Sequence, residues 1–255
     1  MEINKIYNEN CIDTMARMSE NYIDLTITSP PYDNLRTYNG YTFDFENIAK
    51  ELYRVTKIGG VVVWIVADST INGSETGTSF KQALYFVECG FNLHDTMIWH
   101  KPNAMPQIDK SRYTQCFEYM FVLSKGKPTK TNLLKTRTKY GGQIMSRGDG
   151  NNQNINKKSK NLVNIKKIKQ NIFSYNVGGT NYGHPAIFPE KLVAEHIYSW
   201  SNEGDLVYDC FMGSGTTAKM SHIHNRNWIG SELSKDYFII ANDRLKPYLN
   251  QTSLF

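Results

Sequence analysis

The stretch LVYDCFMGSGTTAKM, residues 206–220, decides the fold. It predicts a short apolar strand ending in Asp209, a turn that contains Gly213 and Gly215, and a helix that starts near Thr216. Glycines let a backbone pass close to a ligand, and a helix start points free N–H groups at it. By itself the Gly-x-Gly spacing is weak evidence, because an ordinary tight turn has the same pattern.

The sequence NWIGSELSKDY, residues 227–237, strengthens this interpretation. It predicts a second strand ending next to Glu232, 17 residues after Gly215. An acidic side chain at such a strand end can accept hydrogen bonds from both hydroxyls of a ribose. The alternative for Glu232 is an ordinary surface acid or a charge at a helix start, and we favour the ribose role.

Apolar runs and amphipathic segments alternate along the rest of the chain. The β-branched run VVVWIV at 61–66 predicts a central strand, and FPEKLVAEHIYSW at 188–200 predicts a helix. A helix that includes Phe45 is expected to end at Gly59 and Gly60. Strand–helix alternation of this kind predicts an α/β fold with a mainly parallel sheet and helices on both faces.

A second unusual stretch, TSPPY at residues 28–32, ends the predicted strand DLTIT and is called the proline corner below. Pro30 and Pro31 fix φ and remove two backbone donors, so the Pro30 carbonyl is rigid. Ligands of open α/β sheets bind at the carboxyl ends of the strands. Two acceptors, the Ser29 hydroxyl and the Pro30 carbonyl, beside the ring of Tyr32 suit a flat heterocycle with an exocyclic amino group. The weaker interpretation is a rigid loop that only closes the strand.

The net charge of +5 is unevenly distributed. Residues 125–170 hold 13 Lys or Arg and one acid, Asp149, whereas the remaining chain holds 16 basic and 23 acidic residues. This division predicts one α/β domain formed by residues 1–124 and 176–255, with a basic insert at 125–175. The insert is either a solvated lysine-rich loop or a surface for nucleic acid, and composition does not separate the two.

Composition excludes several other classes of protein. The first twenty residues contain no signal-peptide hydrophobic run, and no apolar stretch reaches the roughly 20 residues of a membrane span. We therefore expect a cytoplasmic protein without a membrane partner. The four cysteines are far apart and the histidines have no ligand spacing, so neither a disulfide framework nor a metal site is expected.

Together, TSPPY and DCFMGSGTT resemble the motifs of the S-adenosylmethionine-dependent amino-methyltransferases of DNA. The resemblance covers nearly the whole chain outside the basic insert and implies a seven-stranded, Rossmann-like methyltransferase sheet. The order of proline corner, basic segment and glycine motif is typical of the β class, in which the insert is the target-recognition region. Related enzymes for RNA or protein glutamine carry Asn-Pro-Pro-Tyr after the cofactor motif, and cytosine-C5 enzymes need a cysteine, usually after a proline. This chain has no Asn-Pro-Pro-Tyr after the glycine motif, and none of its four cysteines follows a proline.

The resemblance also implies the site residues. Asn10 stands where the family usually has Asp and is expected to hydrogen-bond the adenine moiety, and HPAIFPEKL at 184–192 carries a pocket-lining phenylalanine. The implied catalytic residues are Ser29, Pro30, Pro31 and Tyr32, and the implied cofactor-binding residues are Asn10, Phe188, Asp209, Phe211, Gly213, Gly215, Thr216 and Glu232.

The predicted function is methyl transfer to the exocyclic amine of a flipped base in double-stranded DNA, in a restriction–modification system. Cytosine N4 is favoured over adenine N6, because family members with Ser at the first position of the proline corner are mostly N4 enzymes. An inactive DNA-binding module is a rival, although all the site residues are present. A nicotinamide dehydrogenase has the wrong glycine spacing. Whether a cognate endonuclease exists, and whether the enzyme is a monomer or a homodimer, stays open.

Overall fold

The structure is a computed structural model that describes residues 1–31, 43–106, 111–147, 159–177 and 188–249. Its helices are α1 (Cys11–Ala16), α2 (Phe45–Val55), α3 (Thr78–Glu88), α4 (Glu190–Trp200), α5 (Thr216–Ile223) and α6 (Lys235–Leu249). Its strands are β1 (Lys5–Tyr7), β2 (Ile23–Thr28), β3 (Thr56–Val66), β4 (Thr70–Ile71), β5 (Ser74–Glu75), β6 (Asn92–His100), β7 (Phe117–Ser124), β8 (Lys135–Arg137), β9 (Ile144–Arg147), β10 (Ser159–Leu162), β11 (Lys166–Ile168), β12 (Ile172–Ser174), β13 (Leu206–Asp209) and β14 (Asn227–Ser231).

Eight of these strands form one sheet in the order β1-β14-β13-β2-β3-β7-β6-β12. All neighbouring pairs are parallel except the two that involve β7. The predicted α/β fold with a mainly parallel sheet is therefore confirmed. The sheet has eight strands rather than the expected seven, because the three-residue strand β12 pairs with β6 at one edge.

Strand β3 is central and buried on both sides, as its continuous apolar run predicts. Its successive side chains alternate between two clusters. Val62 and Trp64 pack with residues of α1, α2 and α3 on one face, while Val63 and Ile65 pack with residues of α4 and α5 on the other. A third cluster joins α5 and α6 to β1 and β14.

The expectation that Gly59 and Gly60 end a helix is wrong. Helix α2 ends at Val55, and both glycines lie inside β3. Gly59 has φ +80°, a conformation that favours glycine, and its N–H donates to the Lys125 carbonyl at 2.6 Å. The two glycines therefore lie where the pairing of β3 with β2 shifts in register. The local sequence does not distinguish such a position from the end of a helix.

The chain divides into two compact units. One consists of Met1–Asn132 with Asn171–Phe255, and the other is Leu133–Gln170. The second unit contains two antiparallel pairs, β8 with β11 and β9 with β10. It is narrower than the predicted insert at 125–175, because the residues before Leu133 and the strand β12 belong to the first unit.

Two cations of the predicted insert have structural contacts in the first unit. The Lys125 ammonium donates to the Tyr53 carbonyl at 2.7 Å and lies 4.6 Å from the centre of the Tyr53 ring. The Lys130 ammonium is 2.7 Å from both Asp24 and Asp205. These two residues of the predicted insert therefore pair with groups that are distant in sequence and belong to the first unit.

Within the described ranges, no helix is both long and apolar enough to span a membrane. The four cysteines, two of them buried, are free thiols.

Candidate active site

The predicted site residues follow the carboxyl ends of four neighbouring parallel strands. Asn10 lies shortly after β1, Glu232 directly after β14, Asp209 at the end of β13, and Ser29 directly after β2. Parallel neighbours end at the same edge of a sheet, which is where open α/β folds bind ligands. The sheet order thus collects groups that are up to 222 residues apart in sequence along one edge.

A buried hydrogen bond joins the proline corner to the glycine corner, residues 209–216. The Thr28 hydroxyl donates to the Asp209 carboxylate at 2.7 Å, and the Cys210 thiol is 3.4 Å from the same hydroxyl oxygen. Since Thr28 directly precedes Ser29, the two corners are adjacent. The sequence did not single out Thr28, because its role depends on the pairing of β2 with β13.

The proline corner begins where the sequence predicted. Strand β2 is buried along its whole length and ends at Thr28, immediately before the serine and the two prolines. Pro30 is buried, whereas Ser29 and Pro31 are half-buried, so the corner reaches the protein surface at the edge of the sheet. Tyr32 lies outside the described residues, and its stacking role stays a prediction.

Asp209 organises the glycine corner from inside the protein, with only 2% of its surface exposed. Besides the Thr28 hydroxyl, its carboxylate accepts hydrogen bonds from the Phe211 N–H at 3.0 Å and the Thr217 hydroxyl at 2.7 Å. Burial raises the pKa of Asp209 to about 6, although these three donors oppose the shift. Asp209 therefore fixes the start of the turn, the start of α5 and the end of β2 together.

The two glycines of the corner are required by the backbone. Gly213 has φ +53° and Gly215 has φ +82°, values that glycine adopts without strain. A Cβ atom on Gly215 would lie 3.1 Å from the Cβ of Ala241 in α6. Thr216, the first residue of α5, is buried directly after this turn. The close packing against α6 is a second reason for glycine that the sequence does not reveal.

Glu232 is also buried, with 5% of its surface exposed, and it touches the glycine corner directly. One carboxylate oxygen accepts the Gly213 N–H at 2.7 Å, and the other accepts the Ser234 N–H at 2.8 Å. Burial raises the pKa of Glu232, and these backbone donors lower it in part. The Leu233 N–H is a third backbone donor to this carboxylate, so a ligand would share the oxygens with these backbone bonds.

The remaining predicted residues lie at the margins of this group. Asn10 caps α1 and accepts the Ile12 N–H at 2.9 Å, which leaves its amide N–H₂ as the donor for a ligand. The ring of Phe211 packs 5.8 Å from that of Phe43 and belongs to the cluster with Trp64. Phe188 packs on the opposite face of the sheet. The adenine contact of Asn10 and the cofactor-binding roles of Phe188 and Phe211 therefore stay predictions.

Among the residues that the structure describes, no group of three or more His, Cys, Asp or Glu could hold a metal ion. The sheet edge carries a glycine turn after β13, a buried acid after β14 and a serine followed by two prolines after β2. These groups lie at the carboxyl edge of an α/β sheet, where open sheets of this kind bind their ligands.

Comparison with known proteins gives the family. The model of the N6/N4 DNA methylase family matches residues 23–243, so the chain belongs to this family and is a DNA methyltransferase. It is 56% identical to the orphan methyltransferase M.BamHII of Bacillus amyloliquefaciens over 239 residues, which cover 89% of this chain and 90% of that protein.

Solved structures show the same fold at low sequence identity. The PvuII DNA methyltransferase, described as cytosine-N4-specific, superposes with a TM-score of 0.72 at 19% identity, covering 98% of this chain and 87% of that one. A Thermus thermophilus protein described as a DNA modification methylase, in complex with S-adenosyl-L-methionine, superposes with a TM-score of 0.65 at 20% identity. The superposition covers 97% of this chain and 95% of that one. At these identities the superpositions support the fold alone.

Proposed function

We propose that this DNA methyltransferase uses S-adenosylmethionine to methylate the N4 amine of a cytosine that has left the DNA duplex. The observation that carries the proposal is the hydrogen bond between Thr28 and Asp209, which makes the proline corner and the glycine corner neighbours. One corner suits an amine and the other a nucleoside cofactor, so their adjacency is what a direct group transfer needs.

The residues of the glycine corner fit the cofactor. Gly213 and Gly215 give the turn its left-handed conformation, and the Glu232 carboxylate that accepts the Gly213 N–H would also accept the ribose hydroxyls. Asn10 would hydrogen-bond the adenine, Phe188 and Phe211 would line the cofactor pocket from the two faces of the sheet, and Asp209 and Thr216 would keep the turn in shape. When bound, S-adenosylmethionine supplies an electrophilic methyl group on a sulfonium.

The proline corner holds the base. Extrusion of a base costs a few kcal/mol, and stacking on Tyr32 would return about 1–3 kcal/mol. The Ser29 hydroxyl and the Pro30 carbonyl would each accept an N–H bond worth about 1 kcal/mol, which directs the amine lone pair toward the methyl group. Ser29 is too weak a base to remove the proton, so the proton leaves late, to water. Catalysis is then mainly positioning.

Whether the amine is cytosine N4 or adenine N6 is decided by the methylated nucleoside. We expect digested DNA, after incubation with the enzyme and labelled S-adenosylmethionine, to contain N4-methylcytosine. Tyr32→Ala should lower the rate by about 10–100-fold, which corresponds to the lost stacking energy. N6-methyladenine as the sole product would move the proposal to the adenine class, and label at cytosine C5 would contradict the mechanism.

The unit Leu133–Gln170 is proposed to bind the DNA. It carries ten Lys or Arg and one acid, and both strands of the pair β8–β11 are exposed. Arg137 stands directly opposite Lys166 in this antiparallel pair. Like charges in that position destabilise a sheet, so their presence favours an anionic partner such as the DNA phosphates. If about five cations contact phosphates, log K should fall against log salt with a slope near −4.5.

Neutralising this pair gives a test with a matched control. In Arg137→Gln with Lys166→Gln, DNA affinity should fall and the slope should become shallower by about 1.8, because two phosphate contacts are lost. Lys127→Gln removes an exposed charge outside the unit and should leave the slope unchanged. The measurement is fluorescence anisotropy over a salt series, and equal slopes for the double variant and the wild type would refute this role.

The biological setting is part of the proposal. The other curated relatives include Type II methyltransferases, such as M.SmaI of Serratia marcescens at 24% identity over 94% of this chain. A role in a restriction–modification system, in the cytoplasm, is therefore proposed. A cognate endonuclease and a homodimer stay predictions, and the relative at 56% identity is itself named an orphan methyltransferase.

A further inference from the structure

Helix α6 contributes a buried guanidinium to the back of the glycine corner. Arg244 is 9% exposed and donates from one terminal nitrogen to three acceptors. These are the Ser214 carbonyl at 3.1 Å, the Ser214 hydroxyl at 3.1 Å and the Thr216 hydroxyl at 2.9 Å. One side chain thus binds the residues on both sides of Gly215, whose φ of +82° makes this the most conformationally demanding point of the turn.

The other terminal nitrogen of Arg244 connects the turn to a different element. It donates to the Glu190 carboxylate at 2.5 Å, at the start of α4 and two residues after Phe188. The Lys219 ammonium, from α5, lies 2.7 Å from the same carboxylate oxygen. Burial alone would raise the pKa of Glu190, but the two cations lower it, so Glu190 is the charged partner that compensates the buried Arg244.

We propose that Arg244 is a positioning residue that holds the glycine corner in its cofactor-binding shape. The planar fork of a guanidinium reaches the turn and Glu190 at once, which the single ammonium of a lysine does not. Ala241, one turn earlier on α6, packs against Gly215 and so sets the distance between α6 and the glycine corner. This inference rests on the proposed binding of S-adenosylmethionine at the same turn, and it adds a residue to which neither motif assigns a role.

The test separates cofactor binding from DNA binding and from folding. Arg244→Lys keeps the charge but loses the fork, and we expect its Kd for S-adenosylmethionine by calorimetry to rise about 10–100-fold, as loss of charged hydrogen bonds implies. The KM for S-adenosylmethionine should rise in parallel, while DNA affinity and the rate at saturating cofactor change less than about threefold. Thermal unfolding followed by circular dichroism identifies a temperature at which every variant is folded, and binding is measured at that temperature.

Two control variants remove a cation near Arg244 altogether, a larger change in charge than Arg244→Lys makes. Lys219→Met removes the other partner of Glu190 without touching the turn, and Lys246→Met removes an exposed ion pair with Asp243 on the same helix. Both should bind S-adenosylmethionine like the wild type. A Kd for Arg244→Lys within threefold of the wild type, or an equal rise in Lys219→Met, would overturn the positioning role. Failure of the wild type itself to bind the cofactor would instead refute the proposed function.

Discussion

Asp209→Ala is expected to lose at least about 100-fold in affinity for S-adenosylmethionine and, with it, measurable methyl transfer at ordinary cofactor concentrations. The substitution leaves the Thr28 hydroxyl, the Phe211 N–H and the Thr217 hydroxyl without their shared acceptor. Each unsatisfied buried donor costs about 1–3 kcal/mol, so the turn, the end of β2 and the start of α5 should separate. Calorimetric titration of the cofactor measures the effect.

Asp209→Asn is the matched variant. The asparagine oxygen can keep the bonds from Thr28 and Phe211, and the Thr217 hydroxyl can rotate to accept from the new amide. We therefore expect this variant to bind the cofactor within about tenfold of the wild type, since it loses only the charge. Wild-type affinity in Asp209→Ala would show that the carboxylate does not organise the corner.

A comparison of the wild type with Asp209→Asn also tests the pKa of Asp209. Burial raises this pKa to about 6, above the value of about 3.9 for an exposed aspartate. Between about pH 4 and pH 6 the folded state keeps a proton that the unfolded state has released. The contribution of Asp209 to the free energy of unfolding should therefore fall by about 3 kcal/mol as the pH rises through this window and stay level above it. Urea unfolding should show that the wild type loses about 3 kcal/mol more than Asp209→Asn over this window, since the other titrating groups are common to both proteins.

Glu232→Ala should have the second large effect. The buried carboxylate joins β14 to the glycine corner through the Gly213 N–H and, under the proposed function, accepts two ribose hydroxyls. Hydrogen bonds to a charged group are worth about 1.5–3 kcal/mol each, so loss of two predicts a rise in the cofactor Kd of about 10²–10⁴-fold. The KM for DNA should change little, since no base contact is removed.

Glu232→Gln refines this prediction. The amide keeps one acceptor oxygen but puts a donor next to the Gly213 or the Ser234 N–H, so an intermediate rise in Kd is expected. Glu203→Gln, at an exposed acid before β13, is the control and should leave the Kd unchanged. If Glu232→Ala lost stability but kept its cofactor affinity, the carboxylate would be only a structural link.

The sequence predicted the parts of the site that depend on local pattern. Strand–helix alternation implies parallel strands, and parallel strands share their carboxyl edge, so Asp209, Glu232 and Ser29 could be expected to meet. The hydrogen bond between Thr28 and Asp209 could not be predicted, because it requires β2 and β13 to be neighbours in the sheet. A single sequence does not give the order of the strands. Arg244 was missed for the same reason, since its partners come from two other segments of the chain.

The difference between the predicted insert at 125–175 and the compact unit Leu133–Gln170 has another cause. A run of lysines appears continuous in sequence, but Lys125 and Lys130 meet partners in the first unit that lie 70 or more residues away. Strand β12 is three residues long and is flanked by polar residues, so its pairing with β6 leaves no local pattern. The charge run therefore predicted that an insert exists, and the non-local contacts decided where it begins and ends.

A crystal structure with bound S-adenosylmethionine would test most directly whether one cleft serves both reactants. We predict that the ribose hydroxyls lie on the Glu232 carboxylate and that the sulfonium methyl faces the space beside Ser29 and Pro30. In a further complex with DNA, the target amine should come within about 3–3.5 Å of that methyl carbon. A cofactor bound away from the glycine corner, or a methyl group turned away from residues 29–31, would contradict this account.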